Sequence, residues 1–255
     1  MSETTDTAAE QPAVLTEQRG RVLLITLNRP DQMNAINGAL SHGLWDAVQQ
    51  LNGDPGLTAG NGRGFCSGMD LKAFSRGEDI GPMFQFIQNG AEKPLIGAIE
   101  GFALAGGLEL ALSCDLLVAA KGAKLGIPEV NVGLFAAGGG LLRLPSRVGY
   151  GKAMEMAITA DPITAEDGFE FGLIARLADK GEAVNVAMQL AERVAKNAPL
   201  AVAASKQLIK ATQGCTEEEF WKLQGPLQGK VFTSNDAKEG PKAFAEKRAP
   251  EWTGS

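Results

Sequence analysis

The segment from Leu95 to Ala120, LIGAIEGFALAGGLELALSCDLLVAA, constrains the fold more than any other part of the chain. Leu95 to Ile99 read as a buried strand, a glycine turn at Gly106 and Gly107 opens a helix, and DLLVAA is the next strand candidate. Strand, turn, helix and strand in so short a span belong to an α/β core. The same run holds an acid, Glu109, where Leu or Ala would ordinarily stand. An ionised carboxylate taken out of water is costly unless it is paired or hydrogen-bonded, so Glu109 needs a partner or a task.

The flanking sequence continues this pattern. RVLLITLNRP gives a strand from Val22 to Leu27, stopped by Asn28 and Pro30. A helix follows from about Asn37 to Leu51, with Leu40, Leu44, Val48 and Leu51 at helical spacing and the NGDPG turn at its end. NGRGFCSGMDLKAFS is a glycine-punctuated loop leading to a helix. It carries neither GxxxxGK[ST] nor GxGxxG, so it is not a phosphate loop. AKLGIPEVNVGLFAAGGGLLRLPSRVG reads as loop, short helix and glycine turn, and from Tyr150 onward the pattern is helix, turn, helix and strand. Beyond about Glu182 it is helical, and pattern alone leaves open whether this part is a substrate lid, an oligomerisation arm or plain packing. Residues 1–12 are polar and are expected to form a flexible tail.

Composition narrows the function. With 24 basic and 30 acidic residues and a net charge of -6, a general nucleic-acid binder is disfavoured. No run approaches the ~18 apolar residues of a membrane span, and the acidic amino terminus lacks the apolar region of an export signal. Cys66, Cys114 and Cys215 have no CxxC spacing, which fits neither a disulfide framework nor a zinc site and suits a reducing cytoplasm. The single histidine, His42, lies within a helix pattern. A Ser-His-Asp hydrolase is therefore disfavoured and a His-rich metal site is excluded.

Gly106 and Gly107 sit at the first turn of the Glu109 helix, where unpaired N–H groups can hold a negative oxygen. The Met69 N–H, after Gly68 in CSGMD, is a second candidate donor. Two such donors aimed at one carbonyl oxygen form an oxyanion hole. Glu109 then lies one helical turn away, where an acid or base can serve a bound carbonyl compound. Glu129, in GIPEVNVG, is the second acid of interest, although taken alone it reads first as a solvated or salt-bridged side chain. Spacing does not bring the two together.

ITLNRPDQMNAIN, GFCSGMDL, KPLIGAIEGFALAGGLELALSCDLLVAA, LGIPEVNVGL, GGGLLRLPSRVG and SNDAKEGPKAFAEKR resemble, in order, the signature blocks of the crotonase, or enoyl-CoA hydratase/isomerase, family. The resemblance implies an α/β spiral of ββα units over residues 13–190 and a helical trimerisation region over 191–255. It implies a homotrimer or homohexamer and an acyl-CoA thioester substrate. CoA is then part of the substrate, with no separate cofactor and no metal. The thioester oxygen matches the N–H groups of Met69 and Gly106, and the catalytic pair of the family's hydratases matches Glu109 and Glu129. CoA contacts map to Met33, Ala35, Met69, Asp70, Leu71 and Lys72. Phe244 and Lys247 match a region that reaches the CoA of a neighbouring subunit.

The chain departs from the family between Ala59 and Gly60, where an apolar strand is expected, and the gap suggests that residues are missing there. In SRGEDIGPMFQFIQNGAE, Met83, Phe84, Phe86 and Ile87 either line an acyl tunnel or pack in the core. The expectation is an enoyl-CoA hydratase. A Δ3,Δ2-enoyl-CoA isomerase using Glu129 alone and a non-catalytic acyl-CoA binder are the alternatives.

Overall fold

The computed structural model describes residues 11–51, 56–60 and 62–255. Most of the expected tail, and residues 52–55 of the NGDPG turn, lie outside the described residues. In chain order the elements are β1 (Val14–Arg19), β2 (Val22–Leu27), α1 (Gly38–Gln49), β3 (Gly56–Gly60), α2 (Leu71–Ser75), α3 (Gly81–Asn89) and β4 (Leu95–Ile99). Next come β5 (Phe102–Leu104), α4 (Gly106–Ala111), β6 (Leu116–Ala120), β7 (Lys124–Gly126), α5 (Gly140–Val148), α6 (Tyr150–Thr159), β8 (Ile163–Thr164) and α7 (Ala165–Phe171). The chain closes with β9 (Arg176–Ala178), α8 (Ala183–Ala195), α9 (Pro199–Ala211), α10 (Glu217–Phe232) and α11 (Asn235–Ala245).

Six strands form one sheet in the order β1-β2-β3-β4-β6-β9, and β5-β7-β8 form a second. The β1–β2 pair is antiparallel, and the other pairs of the large sheet are parallel. The chain gives β4 to the large sheet and β5 to the small one, then repeats the step with β6 and β7. This alternation winds it into a spiral.

Both faces of the large sheet are covered, which explains why its strands read as continuous apolar runs. Leu23, Ile25 and Leu27 of β2, with Leu95 and Ile99 of β4, join the main core that also receives Leu40 and Leu44 of α1. Val22, Leu24, Ile96, Ala98 and Val118 point the other way, onto Ala183, Ala187 and Ala191 of α8. Alanines one turn apart let this helix lie close to the sheet. The boundary expected at residue 190 therefore falls inside a helix that packs on the sheet as a unit.

The suspected gap at Ala59–Gly60 is corrected by β3. Its five residues pair in register with β2 on one side, from Leu23↔Gly56 to Leu27↔Gly60, and four of them pair with β4 on the other, from Gly56↔Leu95 to Ala59↔Ala98. A parallel ladder needs only backbone N–H and C=O groups, so GLTAG fills the place without an apolar signature. A Cβ on Gly60 would lie 2.4 Å from the Phe65 carbonyl oxygen, which fits the lack of a side chain there.

Met83, Phe86 and Ile87 are core residues, whereas Phe84 is partly exposed. His42 is exposed on α1, 3.1 Å from Asp79. The three cysteines are unpaired, and burial pushes the Cys66 and Cys114 thiols up to about 12. No helix among the described residues is long and apolar enough to cross a membrane. α9 and α10 bury no residue, and Ile209, Trp221, Phe232 and Phe244 stand exposed on the helical tail.

Replacing Ala191, fully buried between α8 and the sheet, by Leu should force that contact apart. Urea unfolding should show a loss of about 1–3 kcal/mol, the usual cost of overpacking. An unchanged midpoint would mean that α8 does not seat on the sheet this way.

Candidate active site

Three backbone segments meet at the head of α4. Ile36 N–H donates to Gly68 O at 2.8 Å and Asp70 N–H donates to Ile36 O at 2.9 Å, so these two bonds bracket Met69 on one side. The Met69 N–H therefore points to the other side, where the Ala105–Gly106 turn lies. A Cβ on Gly68, which has φ +101°, would sit 3.2 Å from Gly106 N, and one on Gly106 would sit 3.8 Å from Met69 N. Neither N–H donates to another described group. The turn itself is strained: Ala105 has φ 51° and ψ -131°, a conformation costing about 1–3 kcal/mol for a residue with a side chain. Its own N–H is held by Gly126 O at 2.9 Å, and the preceding Leu104 N–H by Cys66 O at 3.1 Å.

Arg29 ties the first two segments together. Its guanidinium donates to Ala35 O and, at 3.2 Å, to Asp70 Oδ2, while Ser67 N–H donates to Met33 O at 3.1 Å. Asp70 also caps α2, accepting from the Lys72 and Ala73 N–H groups, and its pKa is lowered by these bonds and by Arg29. Met33, Ala35, Met69, Asp70, Leu71 and Lys72 thus lie on two chain segments that these bonds tie together. Met33 and Leu71 are exposed, and Ala35 is buried. Phe244 and Lys247 are exposed at the end of α11.

Glu109 follows Gly106 by one turn and is only 5% exposed. Its Oε1 accepts from Gly140 N–H at 2.9 Å, and the nearby Gly138 amide also favours the ionised carboxylate. Cβ atoms at 138 and 140 would stand 2.6 Å and 3.1 Å from the carboxylate oxygens, so side-chain-free residues permit this approach. Burial raises the Glu109 pKa; the Gly140 bond opposes this, and the neighbouring Glu129 charge adds to it. Glu129 opens a 3-10 turn, Glu129–Val132, behind Pro128. It is half-buried, and burial raises its pKa too, against its own backbone N–H. Two buried side-chain atoms among the described residues lack a partner: Glu129 Oε2 and Arg143 Nη1. Both belong to neighbours of Glu109. Glu129 also lines a cavity of about 380 Å³ whose other walls, including Ile127, Leu144, Ala153 and Met154, are mainly apolar.

Two unengaged N–H groups can hold a carbonyl oxygen, and two carboxylates with raised proton affinity can give or take a proton. Residues 17–255 match the family described as Enoyl-CoA hydratase/isomerase. The chain belongs to this family. Among curated members it is 38% identical to enoyl-CoA hydratase EchA19 of Mycobacterium tuberculosis, over 96% of this chain and 97% of that protein. It is 39% identical to the carnitinyl-CoA dehydratase of Proteus mirabilis, over 92% and 96%. A solved enoyl-CoA hydratase from Mycobacterium tuberculosis H37Rv superposes with a TM-score of 0.92 at 50% identity, covering 96% of this chain and all of that one. The fold is the crotonase spiral.

Arg29, Gly138, Gly140 and Arg143 were not singled out in the sequence. Their motifs, NRPDQ and GGGLLRLPS, carry no local signal of a partner: Arg29 reaches Asp70, and Arg143 reaches Ile87 O.

The raised Glu109 pKa makes stability depend on pH. The folded chain holds this proton more tightly than the unfolded chain does. The group's contribution is therefore complete below the unfolded carboxylate value of about 4.3 and is lost as pH rises through the folded value. Glu109→Gln should accordingly gain stability relative to the unaltered protein as pH rises above about 4. Parallel urea curves across that range test it, and a difference independent of pH would remove the buried charge from the account.

Proposed function

We propose that this family member is an enoyl-CoA hydratase, adding water across the 2,3 double bond of a trans-2-enoyl-CoA. The observation that carries the reading is the half-buried Glu129, with an oxygen left without a partner, beside a second buried acid, Glu109. One such acid suffices to shuttle a proton along a chain. Two on one acyl group suit the addition of water.

In this reading the thioester oxygen accepts from Met69 and Gly106 N–H, which draws electrons from the double bond and makes C3 electrophilic. Glu109 holds the water and takes its proton as the oxygen bonds to C3. Glu129 delivers a proton to C2, and transfer between the coupled carboxylates restores the starting state. CoA, part of the substrate, lies along Met33, Ala35 and Met69 to Lys72, with Phe244 and Lys247 of a neighbouring subunit closing over it. No separate cofactor is called on. The exposed apolar residues of α9, α10 and α11 support assembly into a homotrimer or homohexamer. The unpaired cysteines suit a cytoplasmic home.

The similarity to carnitinyl-CoA dehydratases favours one second reading, the reverse elimination on a charged acyl group. The mainly apolar cavity beside Glu129 supports an apolar acyl group instead.

Incubation with 2-enoyl-CoA thioesters of graded length should bleach the conjugated thioester absorbance. Glu109→Gln and Glu129→Gln should each slow this by at least ~100-fold while sparing acyl-CoA binding. The double variant should lose little more than the worse single one. Isomerase activity that survives Glu109→Gln and vanishes with Glu129→Gln would replace hydration by isomerisation; binding without turnover on any thioester would leave an acyl-CoA binder. Sedimentation at micromolar concentration should show a trimer or hexamer, and a monomer would remove the assembly.

A further inference from the structure

A second cavity, of about 250 Å³, opens where α9 meets the carboxy-terminal ends of α3 and α4. Its charged walls are Arg143 and Arg147 from α5, Lys206 and Lys210 from α9, and a single acid, Asp115. Lys206 is committed to that acid at 2.7 Å and to Lys93 O at 2.7 Å. The other cations each spend one donor on a backbone carbonyl: Lys210 on Asn89 O at 2.7 Å, Arg143 on Ile87 O, and Arg147 on Asp115 O at 3.5 Å. An ammonium has three donors and a guanidinium five, so most of this capacity stays unspent.

Four positive charges face one negative, an excess of three. The ends of α3 and α4 offset about half a charge each, which leaves about two. The strain registers on Lys210, whose pKa is lowered by burial and by the Lys206 and Arg143 charges. Glu109 interacts with Arg143 but is not among the walls. Like charges gathered in a cavity repel, and an anion there relieves them.

We propose that this cavity is a binding site for a small phosphate-type dianion, held chiefly by Arg147 and Lys210. A phosphate group brings about -1.5 to -2 charges and acceptors on every side, matching both the excess and the unspent donors. Such a ligand joins α9 of the helical tail to α5, the helix that begins at the Glu109-binding glycines. The site is separate from the proposed CoA wall and does not depend on the hydratase reading.

Titration calorimetry of the full chain with inorganic phosphate, against chloride at constant ionic strength, should show saturable binding of one equivalent per chain. The double variant Arg147→Met/Lys210→Met should bind at least ~10-fold more weakly, as expected when charge-assisted hydrogen bonds are lost. Lys180→Met/Lys238→Met, which removes two exposed cations elsewhere, should bind as the unaltered protein does. Saturating free CoA should leave phosphate binding unchanged. If the double variant fails to fold, Lys210→Gln alone should still weaken binding. Absence of saturable binding, equal affinity in the folded double variant or in Lys210→Gln, equal weakening by the Lys180 and Lys238 changes, or displacement by free CoA would each overturn the proposal; displacement would place phosphate on the CoA wall.

Discussion

The site depends on keeping one carboxylate out of water without giving it a direct salt bridge. A close cation would hold Glu109 ionised, whereas here its near partners are the amides of Gly138 and Gly140, and burial outweighs them. Gly140 also begins α5, whose residues Leu141, Leu144 and Pro145 wall the apolar cavity beside Glu129. The charge state of one acid and the seating of a helix are therefore linked through the Gly140 bond. Side chains at 138 or 140 would crowd the carboxylate, so the composition of this loop follows from the acid it encloses.

The donor side is built differently. Arg29 clips the 33–36 and 67–70 segments, and the second sheet grips Ala105 through Gly126 O. A strained residue persists only when its surroundings over-determine it. The Ala105 turn has strands on both flanks and the head of a helix immediately after it. The two free N–H groups are thus fixed by the rigid parts of the spiral rather than by a mobile loop.

Much of this was legible in the sequence because burial writes itself into long apolar runs. β2, β4 and β6 appear as such runs, and α1 appears as a helical stripe with Asn37 as its cap. Glu109 was conspicuous for the opposite reason, as a polar residue among apolar ones. β3 was missed because GLTAG forms its ladder from backbone alone, and β5, β7 and β8 because two or three residues show no period. The roles of Met83, Phe86 and Ile87 could be settled only by packing. Arg29 and Arg143 escaped notice because their partners lie 41 and 56 residues away. The pairing of Glu129 with Glu109 came from resemblance to a family and not from spacing.

The contrast between main-chain donors and side-chain acids has an evolutionary consequence. Every amino acid except proline carries an amide hydrogen, so most codon changes at 69 or 106 preserve the chemical group even when they alter the residue. At Gly106 the nearest obstacle to a new side chain is Ile36 Cδ1 at 3.4 Å, ordinary contact distance. Codon changes at 109 or 129 have no comparable tolerance, because the carboxyl group belongs to the side chain. Random drift therefore removes the two acids more readily than the two unengaged amides, and descendants of such a chain can lose the carboxyl groups while inheriting the same main-chain donors.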